Sequence, residues 1–497
     1  MRYVLLKKAL VFGIILLFVG TSVVSAINGN QSTSSKPLSR GNWLYVGGSG
    51  PGNYTTIQSA INATNPGDTV FVYDDSSPYF ENVVVDKSIN LIGEDRDTTI
   101  IDGNRRKEVV HINTNSVEVR GFTITKGDHR GIYCEGGASN ITIASCVCFD
   151  NNESGEWGEQ ISLYGYQNCR IFDNIISSAD REIVLDYENA TNGIYIEGGT
   201  HNSVFNNSIY ENFYGVKVGW GSNKNIVLNN VIELNLIGIG VFGGDTSAQN
   251  RISKNYVYRN FFGVIVHSTG NTIDNNTIVE NGFLNIYNGT FGLGVDIVNW
   301  SHNNISDNIF TKNSIGVRNY NSQYTHIHNN TFTKNFLGIA GYISSDNNIS
   351  NNSIVNNLIG IGLLKTSNYE IQWNDIRANF QGIILSLFCN NHHINYNNIV
   401  GNIRFGILGF LSCSNNAQYN WWGSSKGPRF LPFGQGDRIL WIFGRISYSP
   451  WLQDPVDIDT GSANISPFSG NYWDSGGEVF GVHPMKSLVE RTKTAIG

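Results

Sequence analysis

Apolar and polar residues alternate in short runs along most of the chain, as in SVFNNSIY (203–210) and THIHNNTF (325–332). Alternation with a period of two over a few residues predicts half-buried strands. The runs also recur in register with one another. The pattern N-x-(I/V/F)-x-x-N-x-x-G-(I/V) is met by Asn352, Ile354, Asn357, Gly360 and Ile361, and again by Asn374, Ile376, Asn379, Gly382 and Ile383. Asn330, Phe332, Asn335, Gly338 and Ile339 fit it too, as do Asn207, Ile209, Asn212, Gly215 and Val216. The leading asparagine returns at 230, 255, 276, 308, 397 and 420, and a weaker register reaches back through Asn174, Cys146, Gly121 and Gly93.

A fixed period of this length marks a solenoid. No helix-length apolar pattern fits inside so short a unit with so much Asn and Gly. Each unit is therefore several short strands joined by bends, and stacked units pair strand to strand about 4.8 Å apart. The expected fold is all-β, a single-stranded right-handed parallel β-helix of about a dozen coils, the hand following from the crossover rule. Asparagine is expected to take the left-handed backbone at one tight corner and to hydrogen-bond up and down the stack as a ladder. Glycine is expected to supply the other corner.

The ends read differently. Arg2, Lys7 and Lys8 precede the apolar stretch Ala9–Gly20 and the small-residue site Val24-Ser25-Ala26, which predicts a secretory signal peptide over 1–26. Residues 27–42 are rich in Ser and Thr and read as a tether. In YTTIQSAINATNPGDTVFVY, Thr56 is placed to cap a short helix whose face is Ile57, Ala60 and Ile61, a lid for the first coil. Trp421, Trp422 and Pro428 suit a distal cap, and 453–497 reads as an irregular tail.

The opening IQSAINATNPGDTVFVY…YFENVVVDKSINLIGE, the asparagine coils and the closing NWWGSSKGP resemble the NosD-like secreted β-helix proteins over residues 43–452. The resemblance implies the broader group of carbohydrate-binding and sugar-hydrolase β-helices, found as archaeal and bacterial surface proteins. It also implies an alternative, a periplasmic accessory role in copper-enzyme maturation. Copper handling favours Met, His and Cys ligands, whereas the chain has only Met1 and Met485, and His326 and His328 are its best His pair.

Departures from the repeat locate candidate chemistry. Four coils lengthen the same corner: KGDHRG (126–131), NNESGEWG (151–158), ADREIVLDYENATNG (179–193) and NGFLNIYNGTFG (281–292). Insertions at equivalent corners project from one edge of a solenoid, where function is usually carried. The first three hold Asp128, Glu153, Glu156, Asp180, Glu182, Asp186 and Glu188, with Glu159 just after and His129, Arg130 and Arg181 interleaved. Trp157 and Tyr187 add ring faces. Carboxylates that bind hydroxyls beside rings that stack on sugars suit a polysaccharide groove. In this reading Glu153, Glu156, Trp157, Glu159, Asp186, Tyr187 and Glu188 bind substrate. Asp128, His129, Arg130, Asp180, Arg181 and Glu182 are the catalytic candidates, if the protein is an enzyme. Two carboxylates across a glycosidic bond would hydrolyse it. An acid beside a base could instead abstract a proton next to a uronate carboxyl, the chemistry of a lyase or an epimerase. Closely spaced carboxylates could also hold calcium. A non-catalytic structural or adhesive surface protein is the competing expectation.

Composition narrows the partners. The formal charge is −7, and removing Arg2, Lys7 and Lys8 with the leader makes it more negative, which disfavours nucleic acid and anionic lipid. No segment after the leader is apolar and long enough to span a bilayer. A surface glycan is the expected partner, and a secreted, periplasmic or cell-surface location the expected place. Of the six cysteines, Cys389 and Cys413 should stack in adjacent coils, as a disulfide or as free thiols. Cys148 takes an inward position, which favours packing over metal binding. Phe213-Tyr214, Leu236-Ile237, Phe261-Phe262, Phe336-Leu337 and Leu358-Ile359 fill the two places before the glycine, one column in the core and the other partly buried at the corner. The sequon at Asn288 lies in an inserted loop and would accept a glycan.

Overall fold

The computed structural model describes residues 41–137, 139–152, 158–178, 191–282, 292–430 and 433–458. The expected signal peptide, nearly all of the tether, the Asn288 sequon and residues 459–497 of the tail lie outside them. The described chain is a right-handed parallel β-solenoid of about 15 turns, somewhat longer than the dozen expected. Three parallel sheets run its length. One has 17 strands, from Trp43–Val46 to Arg445–Ser447; one has 15, from Val83–Val85 to Ile439–Ile442; one has 14, from Tyr79–Phe80 to Asn398–Val400. Most strands are three to eight residues long, because the chain must turn a corner before the next sheet.

Inward residues stack like on like. Ile339, Ile361 and Ile383 form one buried column in the 15-stranded sheet, and Phe310 lies flat on Phe332 with ring centroids 4.7 Å apart. Each fully buried aliphatic side chain contributes on the order of 1.5–3 kcal/mol. A helix from Ile57 to Ala63 covers the first coil with Ile57, Ala60 and Ile61. Thr56 caps it by accepting a hydrogen bond from the Ser59 amide, and Glu81 accepts from the amides of Ile57 and Gln58. At the other end Trp422 is fully buried and Phe430 stacks on Trp441 at 4.9 Å.

The asparagines form ladders, but not because they occupy the left-handed corner. That conformation belongs to the preceding residue, which is Asn206, Asn229, Lys254, Asp307, Trp373 or Tyr396 according to the coil. The ladder asparagines turn inward and are chosen for their amides. Asn352 Nδ2 donates to Asn374 Oδ1 at 3.0 Å and to the Ile327 carbonyl at 2.8 Å, while its Oδ1 accepts from Asn330. A second ladder runs through Asn335, Asn357, Asn379 and Asn402 and ends on the carboxylate of Asp437 at 2.7 Å.

The repeat glycine is also explained differently. Its φ is not positive. A Cβ on Gly338 would lie 2.6 Å from the Gly360 carbonyl oxygen, and one on Gly360 would lie 2.6 Å from that of Gly382. Close stacking of coils, not a left-handed turn, excludes a side chain there. All six cysteines are free, with Cys389 buried and Cys413 exposed on adjacent coils. Cys146 and Cys148 are both core residues. The corner pairs are mostly covered as expected: Phe213, Leu236 and Ile237 are buried together in a small cluster outside the main core, with Tyr214, Phe261 and Phe262 packed on it.

Candidate functional site

The insertions do share one corner, the one leading into the 15-stranded sheet. The residues described on either side of them are Asn152 and Gly158, Ser178 and Thr191, and Gly282 and Gly292. Strand register corrects two of the corner assignments. Gly131 faces Gln160, and Gly263 and Gly316 face Gly294, so Gly158 and Gly292 are not the corner glycines. Gln160 occupies the glycine place in its coil with its side chain turned inward, accepting from Asn151 Nδ2 at 2.7 Å.

Of the candidate residues, Asp128, His129, Arg130 and Glu159 are described; Glu153, Glu156, Trp157, Asp180, Arg181, Glu182, Asp186, Tyr187 and Glu188 lie outside the described residues. The four divide into two pairs. Asp128 and His129 sit together at the corner, 3.6 Å apart. Arg130 begins the strand Arg130–Cys134 and pairs with Glu159 on the next coil, Nε to Oε2 at 2.5 Å. Arg130 also lies 3.4 Å from Glu108 and over the ring of Tyr133 at 4.4 Å. Tyr164 donates to the other oxygen of Glu159 at 3.3 Å. Burial raises the Glu159 carboxyl above its ordinary value, and the Arg130 guanidinium pulls it back down.

Around this pair is a feature that motif reading missed. The outward residues of the 15-stranded sheet form a continuous run of rings. His111 lies 5.1 Å from Tyr133, Tyr133 5.7 Å from Tyr164, and Tyr164 5.5 Å from Tyr195. The Lys217 ammonium bridges Tyr195 and Tyr214 at 4.6 and 5.2 Å. Tyr214 meets Phe242 at 5.5 Å, and Phe242 meets His267 at 5.3 Å. Seven stacked coils contribute, which at the usual strand spacing is about 29 Å.

Carboxylates are interleaved with the rings and held by them. Glu135 accepts from Tyr133 at 2.7 Å and lies 3.1 Å from His111; Glu197 accepts from Tyr195 at 2.5 Å. Each of these carboxylates keeps lone pairs for a further donor. Burial pushes the Tyr133 hydroxyl up to about 12, so it stays a donor through neutral pH. A signal for part of this face was present: GIYCEGG (131–137) and GIYIEGG (193–199) repeat the Tyr-x-Glu arrangement.

A family profile described as "Periplasmic copper-binding protein (NosD)" matches residues 27–261, 184–336 and 285–420. A cell surface glycoprotein of Methanothermus fervidus is 26% identical over 273 residues, 53% of this chain and 43% of that protein. A probable pectinesterase/pectinesterase inhibitor of Arabidopsis thaliana is 29% identical over 136 residues, 26% of this chain and 22% of that protein. The chain thus spans less than half the length of either relative. Among solved structures, a tailspike protein of an E. coli bacteriophage shows a TM-score of 0.45 at 12% identity, covering 72% of this chain and 74% of its own. The DFA-IIIase of Arthrobacter chlorophenolicus shows 0.45 at 13%, covering 62% and 94%.

The copper in the family description can be tested against the side chains. Among the described residues no three His, Cys, Asp or Glu side chains come together as a metal-ligand group. Burial raises the Cys146 thiol to about 11 and the Cys134 and Cys148 thiols well above their usual value, which leaves them protonated and poor ligands. The described residues do not fit a copper centre. No helix among them is long and apolar enough to cross a membrane.

Proposed function

We propose that this chain, which belongs to the NosD family, is an exported surface protein that holds polysaccharide along the outer face of its 15-stranded sheet. The observation that carries the reading is the ring run from His111 to His267 with its interleaved carboxylates. Sugars present apolar ring faces and many hydroxyl donors, and such a run offers both complements on a rigid support. Likeness to a cell surface glycoprotein supports the surface placement.

Catalysis on the same face would draw on Asp128, His129 and Arg130, which lie at the corner beside the run, with Asp180, Arg181 and Glu182 of the 179–193 insertion. Arg130 stays protonated at any working pH, so its role there is to orient Glu159 and substrate, not to take a proton. The test is a panel of neutral and acidic polysaccharides offered to the purified chain, reading retention, new reducing ends and unsaturated products. Retention that Tyr133→Ala or Tyr164→Ala weakens at least tenfold, with the fold intact by circular dichroism, is the expected result. Retention of no glycan, with stoichiometric copper uptake in its place, would replace this reading with the accessory one.

A further inference from the structure

The ring run opens into a cavity. A half-open space of about 390 Å³ lies among the rings of Tyr195, Tyr214, Trp220, Phe242, His267 and Trp300. This is within the size range of small-ligand sites. The repeat is interrupted to make it. The strand Ile237–Gly244 runs eight residues, and its pairing with Phe262–Ser268 shifts register between Phe242 and Gly244. Bulges of this kind re-aim the chain and gather at functional places. Gly243 and Gly244 both hold a positive φ there. A Cβ on Gly243 would lie 3.0 Å from the Trp220 backbone, and one on Gly244 would lie 2.5 Å from the Trp300 ring. Trp220 precedes this bend by one coil and Trp300 follows it by two, so the two tryptophans flank it along the solenoid. Trp220 is 65% exposed, a large apolar surface left in water.

The cavity offers rings and little net charge. Among the described residues no carboxylate lines it, and Lys217 is the one cation on its wall. Lys217 is already engaged. Its ammonium lies over the Tyr195 and Tyr214 rings, and the carboxylates of Glu159 and Glu197 act on it. Burial holds His267 below its ordinary range, so it is neutral at physiological pH. A carboxylate brought into the cavity would compete with Glu159 and Glu197 for one ammonium and repel both. Walls of low polarity strengthen that repulsion. An uncharged ring with an apolar face meets no such opposition and covers aromatic surface.

We infer that this cavity takes one neutral sugar unit of a bound polysaccharide, its apolar face on Trp220, and rejects a uronate at that unit. The inference rests on the polysaccharide reading above and names the class of unit that reading leaves open.

The experiment compares polygalacturonate, polymannuronate and polyglucuronate, each with its carboxyl-reduced neutral counterpart, for binding to the purified chain. Salt is held at about 0.5 M, which screens repulsion by the chain's overall negative charge. In any pair that binds, the neutral polymer is expected to bind about tenfold more tightly. Trp220→Ala alters an exposed side chain, is expected to fold normally, and should cost the neutral polymer most of that advantage. Glu197→Gln removes one of the two carboxylates acting on Lys217 and should narrow the gap from the other side, by tightening the acidic polymer. Equal or tighter binding of the acidic polymer in any pair overturns the inference, as does a neutral preference that either variant leaves unchanged. Binding that needs Tyr133 and Tyr164 but not Trp220 would sink the pocket assignment and leave the polysaccharide reading standing. Binding of no polymer at all would remove both.

Discussion

The 15-stranded sheet has one inner face and two different outer ones. Inward positions carry isoleucine or valine throughout: Ile132, Ile161, Ile194 and Val216 near the start, Ile339, Ile361, Ile383 and Ile407 near the end. Outward, one column reads His111, Tyr133, Ser162, Tyr195 and Lys217 in the proximal coils, then Ala340, Gly362, Ile384, Leu408 and Leu440 in the distal ones. Ladder steps differ in parallel. Distal steps are 22 or 23 residues, whereas the proximal step from Asn174 to Asn207 takes 33. Stacking constrains only what points inward, so the outer face and the corner lengths were free to diverge. On the proposed reading, the distal half is scaffold and the proximal half is site.

The comparison breaks first at the corner glycine. Gly360→Val places atoms against the Gly382 carbonyl, and a loss of roughly 3 kcal/mol or more is expected in denaturant unfolding. Gln160→Gly in the proximal half should cost about 1 kcal/mol, the hydrogen bond to Asn151. A Gly360→Val chain as stable as the parent would disprove the stacking argument. Asn352→Ala comes next, at roughly 2–4 kcal/mol, because it leaves the Asn330 backbone N–H without its acceptor and takes a donor from both the Ile327 carbonyl and Asn374 Oδ1.

Removing a whole coil, residues 330–351, sharpens the contrast. Asn352 then follows Asn308 in the ladder, and glycan binding should stay within about twofold, since every residue of the ring run precedes the deletion. Loss of binding with the fold retained would show that the distal half contributes to the site.

The smallest effect concerns pH. His392 stands in a third column of stacked polar side chains, its Nδ1 accepting from the Tyr369 amide and its own amide donating to Asn415 Oδ1, and burial lowers its pKa to about 4. Below the ordinary pKa near 6.5 the unfolded chain takes up a proton that the folded one refuses, so stability falls between about pH 6.5 and 4. Asp437 runs the other way. Burial raises it to about 6, so the folded chain takes up the proton first, and stability from this group grows from about pH 6 down to 4. The two oppose each other in one window. His392→Asn should leave Tm at pH 7 nearly unchanged and raise it at pH 5, by on the order of 1–2 kcal/mol in stability. An unchanged acid limb would show that His392 is not the group responsible.

Much of this was legible in the sequence, for a physical reason. A solenoid repeats its constraints, so Asn207, Ile209 and Gly215 announce themselves by phase, and Thr56 announces the lid by its place before an apolar helical face. The roles behind the phase were less legible. Whether an asparagine is chosen for its backbone or for its amide depends on which of two neighbours turns inward, and Asn206-Asn207 looks the same either way. Gly158 and Gly292 misled because a glycine near an insertion resembles a corner glycine; only strand pairing identifies Gln160 and Gly294. The ring run stayed hidden because outward positions need not repeat. Tyr133, Tyr164 and Tyr195 meet through register, with Ser162 leaving room between the first and last.

The rungs of the two buried asparagine ladders point the same way, Nδ2 to the Oδ1 of the following coil. Such a stack is a vector. The first ladder's head closes when Asn174 Oδ1 accepts the Cys146 amide, and its tail when Asn420 Nδ2 donates to the Ile394 carbonyl; the second ladder's tail closes when Asp437 Oδ2 accepts from Asn402 Nδ2. The parallel sheets share that polarity, so two copies could extend them only nose to tail, never nose to nose, and the Ile57–Ala63 helix and the Trp422 cap stand at their two ends. The end pieces thus fix the length of what would otherwise be a one-way polymer.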